Sequence, residues 1–134
     1  MSDIEELLTK PCWIIDILPE QVPGNGPGQF FSIEKYFLHH PDLRRKQTDL
    51  LLKLNCYYDL TLIRDEGEIR NPAPEKLVDL IGQEYLNILI GDSLITADNM
   101  DTYMTIFGPD EKLLDLIRKL AAVEGMFVWK GHDV

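Results

Sequence analysis

The amino-acid sequence predicts an α+β domain: one mixed sheet of five or six strands, with helices packed mainly on one face. Short β-branched or alternating apolar runs recur between turn signals, the mark of strands. Two amphipathic helical segments each lie between such runs, so strand–helix–strand occurs twice over 57–130. The two helices are also alike: residues 75–81 read EKLVDLI and residues 111–117 read EKLLDLI, six of seven identical at an offset of 36. Amphipathic helices draw on a small alphabet, so this likeness alone does not establish a repeat. The strand assignments stand on their own composition.

Taken in order, CWIIDIL (12–18) is β-branched and bounded by prolines, a buried strand. SIEKYFLHH (32–40) suits a short helix with Ser32 as cap and Ile33, Tyr36, Phe37 and His40 on one face. Pro41 ends it and opens a second helix, where Leu43, Leu50, Leu51 and Leu54 form an apolar stripe. YYDLTLI (57–63) alternates as a strand and sends Tyr57 and Tyr58 to opposite faces, followed by a polar loop, RDEGEIRNPAP. YLNILIG follows the first repeated helix; Gly91-Asp92 then signals a hairpin into an extra strand at 94–97, a meander with YMTIF. The last helix has Pro109 before it, Asp110 and Glu111 in its first turn and Gly125 after its end, and leads into MFVWKG.

Strand–helix–strand repeated twice is the ferredoxin-like βαββαβ order, here over 57–130 with an N-terminal strand and two helices added. That resemblance is to an architecture, and an architecture carries no function. At 134 residues the chain has the usual length of one domain, with 1–56 expected to pack as an extension on 57–130.

The net charge of −10 is concentrated: residues 54–111 carry twelve acids and three bases. Such a surface repels nucleic-acid phosphates, and the basic stretch LRRK reads as the solvated face of a helix; no nucleic-acid partner is expected. No apolar run reaches the roughly 20 residues of a membrane span. The acidic start, MSDIEELLTK, does not resemble a secretory signal, so a cytoplasmic location is expected. Cys12 and Cys56 form no framework of disulfides.

Tests for specific chemistry are mostly negative. In QVPGNGPGQFF (21–31) the glycines do not fall at Gly-x-Gly-x-x-Gly spacing, no P-loop lysine is present, and Pro23 and Pro27 remove amide donors; the segment is a turn, and no nucleotide cofactor is expected. His39 and His40 point about 100° apart on a helix, and His132 stands near the chain end, so no zinc site is expected. Asp92, Asp98, Asn99 and Asp101 lie on meander turns, where acids commonly bond their own backbone rather than a cation. Asp16 is the exception, a charge inside an apolar strand, costly unless paired or exposed.

No set of residues has the spacing that a known reaction demands. The expectation is a non-catalytic protein-interaction module, its partner another protein or a second copy. The rival is a small-molecule binder or enzyme with a pocket between the N-terminal extension and the sheet, its polar groups supplied by Asp16, His40, Tyr57 and Tyr58. A buried, unpaired Asp16 facing a cavity favours the rival; a filled interior and a flat apolar sheet face favour the module.

Overall fold

The computed structural model describes residues 2–131; His132 lies outside them. Seven strands form one sheet: β1 (Cys12–Asp16), β2 (Leu60–Arg64), β3 (Gly67–Arg70), β4 (Leu86–Ile90), β5 (Ser93–Ala97), β6 (Met104–Phe107) and β7 (Phe127–Lys130). Their order across it is β3-β2-β4-β5-β6-β1-β7, and every ladder is antiparallel. The helices are α1 (Ser2–Leu7), α2 (Phe30–Leu38), α3 (Pro41–Leu54), α4 (Pro74–Leu80) and α5 (Glu111–Val123).

The α+β class holds, but the sheet is antiparallel rather than mixed and has seven strands rather than five or six. The ferredoxin-like order is also not the one adopted. β1 takes the slot between β6 and β7 and pairs with both, so the strands that α5 joins run parallel without touching. At the other end β2 and β4 pair directly, and β2 gives its remaining edge to β3. The polar segment after β2 thus contains a strand: Gly67, at φ +125°, closes a two-residue turn that sets Arg64 opposite itself. The strand expected at 94–97 forms as β5, and β4, β5 and β6 make the meander.

Register aligns one face into continuous apolar rows. Leu62, Ile88, Ile95, Ile106 and Trp13 stand opposite one another across five strands; Leu86, Ala97, Met104, Ile15 and Val128 form the next row. Leu50, Leu51 and Leu54 of α3, Leu77 of α4, and Leu113 and Ile117 of α5 pack in the same core. On the opposite face Leu94 is fully buried where α1 lies against β5.

Local signals explain two of these helices well. The Asp110 carboxylate accepts from the Leu113 amide at 2.8 Å as N-cap of α5, and Gly125 follows its end at φ +73°. α3 starts at Pro41 with His40 as its cap, Nδ1 accepting from the Asp42 amide at 3.2 Å. α2 departs from expectation: it begins at Phe30, so Ser32 is inside it, and Gln29 makes no side-chain cap bond. Tyr57 and Tyr58 are not in a strand either. Both amides bond the Leu54 carbonyl, at 2.9 and 3.0 Å, in a turn that closes α3 before β2 starts at Leu60.

Candidate functional site

Asp16 ends β1 at the edge where the 98–103 turn enters β6. α3 fixes that turn from behind: Arg44 donates to the Asn99 carbonyl at 2.9 Å and Gln47 to the Thr102 carbonyl at 3.4 Å. In front, the Trp129 indole N–H donates to the Leu18 carbonyl at 3.1 Å and holds the chain that leaves β1, and the glycine-rich loop that follows brings Val22 and Phe30 to the same side. Between them is a cleft of about 300 Å³. Val22, Phe30, Ile14 and Trp129 form its apolar walls, and Asp16, Glu34, Asp101 and Tyr103 its polar lining. A second cavity of about 330 Å³ lies under the glycine loop and shares Val22 and Phe30 with the first.

Asp16 is only 7% exposed and accepts from the Ile17 amide at 2.7 Å. Burial pushes its carboxyl above the ordinary value; hydrogen bonds from the Ile17 and Leu18 amides and from Thr102 oppose this, and the Glu34 charge adds to it. Asp101 is raised as well, by burial first and then by Asp98 and Glu34, with Arg44 and a hydrogen bond from Tyr103 pulling the other way. Tyr103 is raised by its burial and then by the charges of Asp101, Asp16, Asp98 and Glu34. Arg44 is lowered by burial, against the pull of Asp101 and Asp98. Burial leads all four shifts; the carboxylate charges add to it at Asp16, Asp101 and Tyr103, and the neighbouring cation, Arg44, is held by the backbone of the turn and by Gln47, each at 2.9 Å.

The structure separates the other expected site residues from Asp16. His40 is the cap of α3 and does not line the cleft. Tyr57 and Tyr58 lie near the opposite end of the sheet, where they border a cavity of about 370 Å³ with Lys112, Asp115 and Lys119 of α5. The turn acids do not gather: Asp92 sits in the β4–β5 turn, a full strand length from Asp98 and Asp101. Asp98 bonds its own turn, accepting from the Met100 amide at 3.0 Å. Among the described residues no group of three or more His, Cys, Asp or Glu side chains is placed to hold a metal ion. Cys56 is exposed and Cys12 partly buried.

Sequence reasoning found Asp16 because a carboxylate interrupts an apolar strand, and it noted Asp101 as a turn acid. It passed over Glu34, Tyr103 and Trp129 as lining. Trp129 alone carried a usable signal, alternation that places it on the same face as Phe127 and away from the core row of Val128.

No family model, curated protein or solved structure matches this chain. No helix among the described residues is long and apolar enough to cross a membrane.

Proposed function

We propose that this chain is a non-catalytic protein-interaction module that docks another protein on α2 and the adjoining glycine loop. The observation that carries this is the state of α2. Six of its nine residues are apolar or aromatic, yet none is buried; Phe31, Ile33 and Tyr36 are all exposed. Aromatic side chains are what protein interfaces use for most of their binding energy, and leaving them in water without a partner is unfavourable. A second copy is the less suitable partner. A symmetric contact through α2 would bring two copies of the acidic cleft of Asp16, Glu34 and Asp101 into one interface.

A photo-crosslinking side chain at Tyr36 in the native host is expected to give one discrete adduct. The same probe at the exposed Val78 of α4 should not give it, and Ile33→Asp should abolish it. Equal adducts at the two positions would overturn the reading.

One observation favours the rival. Asp16 is buried and lines a cleft between the N-terminal segment and the sheet, as a small-molecule site would require. A thermal-shift screen against metals, nucleotides, amino acids and metabolites decides between them. A specific ligand at about 100 times its Kd adds roughly 2.7 kcal/mol, a rise of several degrees. One saturable hit that Asp16→Asn removes would make the rival primary.

A further inference from the structure

The cleft beside α2 has three properties that together specify a ligand class. Its walls are aromatic and aliphatic: Phe30 and Val22 on the loop side, Trp129 and Ile14 on the sheet. Its polar lining includes three carboxylates, from β1, α2 and the 98–103 turn, of which Asp16 is more than nine-tenths buried. Those carboxylates are not arranged for a metal ion. They surround a space of about 300 Å³ rather than a point. Carboxylates around an aromatic-walled space fit an organic cation, which a hydrogen-bonded acid neutralises while ring faces attract its charge and stem.

We infer that the cleft receives an arginine or lysine side chain from a basic segment of the partner protein, whose flanking apolar residues lie along α2. This rests on the interaction-module reading and names what the module recognises. The adjoining cavity selects a protein segment over a free amine, since it shares Val22 and Phe30 with the cleft and is lined by the exposed Phe31 and Ile33, which give the flanking residues a surface. Charge complementarity selects a basic segment: the chain is at −10, and Asp16, Glu34 and Asp101 concentrate negative charge at the docking point. Arg44, already engaged with Asn99 and Gln47, does not fill the role.

The test is an NMR titration of the full chain with three capped pentapeptides, Gly-Phe-X-Phe-Gly, where X is arginine, glutamate or norleucine. The Trp129 indole N–H, held on the Leu18 carbonyl, is the reporter at the cleft wall. The arginine peptide is expected to move that resonance saturably and to weaken steeply as salt is raised. Asp101→Asn and Glu34→Gln should each weaken it roughly tenfold and leave the norleucine peptide unchanged. Both residues are only partly buried, so these variants test the cleft without depending on the deeply buried Asp16. Equal binding of the arginine and norleucine peptides on α2 would sink the cation while leaving the interaction surface intact. No response of the Trp129 resonance to the arginine peptide would overturn the inference outright.

Discussion

α2 and α3 are consecutive helices that touch each other, yet they were built under different rules. α3 has five leucines in fourteen residues, and Leu43, Leu50, Leu51 and Leu54 are almost fully buried; its start carries a side-chain cap. α2 is the more apolar of the two, has no side-chain cap and buries no residue fully. Apolar content therefore does not decide burial here; position relative to the sheet does. α3 shares the core that the apolar rows of β1, β2, β4, β5 and β6 form. α2 stands beyond that core, reached by a loop that turns at three glycines between Pro23 and Gln29. One helix specifies the fold and the other is left available.

The largest effect that checks this contrast belongs to the core. Leu51→Ala removes a fully buried side chain from the centre of the cluster and should cost about 2–5 kcal/mol. Urea unfolding should show a lower midpoint at an unchanged slope. A loss below about 1 kcal/mol would mean that α3 is not seated on the sheet as described.

An intermediate effect comes from the seam between the two regions, where Asp16 sits. Burial raises its folded-state pKa above the unfolded value, so its contribution favours folding at acid pH and is lost as pH rises through the raised value. Asp101 is raised as well, and Asp59 works in the opposite direction, its carboxyl lowered by hydrogen bonds from Asn71 and Arg70, so a single stability curve mixes them. Comparing wild type with Asp16→Asn removes the mixture, because Asp59 and Asp101 are common to both. The amide can still accept from the Ile17 N–H and carries no charge to desolvate. Asp16→Asn should therefore gain stability relative to wild type on going from about pH 4 to about pH 7, read by thermal melts across that range. A constant difference would show that the Asp16 carboxyl is not desolvated.

Much of the core side was legible because its signals are local. A cap at Asp110, a glycine at Gly125 and the alternation of Leu86, Ile88 and Ile90 each act over a few residues. Strand order is not local. Trp13 pairs with Ile106 across most of the chain, and nothing in either segment's composition records that β1 will separate β6 from β7. β3 escaped notice for a different reason. It is a four-residue edge strand whose only buried-side anchor is Ile69, so its pattern is mostly charge. The candidate site shows the same division. Asp16 was visible as a local anomaly, whereas its meeting with Glu34, Asp101, Tyr103 and Trp129 is made by pairing and by the return of the glycine loop. Tyr57 and Tyr58 misled because adjacent aromatics suit a strand as well as a turn.

The smallest effect is the most informative about α2. Phe31 is 69% exposed, so Phe31→Ser removes few contacts and should change stability by less than about 0.5 kcal/mol. The substitution forfeits the ring's edge contact with Phe30, at 5.4 Å between centroids, and at an exposed site that is a weak interaction. A core residue of the same chemistry would cost several times more. The two helices thus differ in what an apolar side chain is for. In α3 its removal is felt by the isolated chain; in α2 it should be silent until the partner is added. If urea unfolding instead shows Phe31→Ser costing more than about 1 kcal/mol, the side chain is packed in solution, and the contrast between the helices collapses with the docking surface built on it.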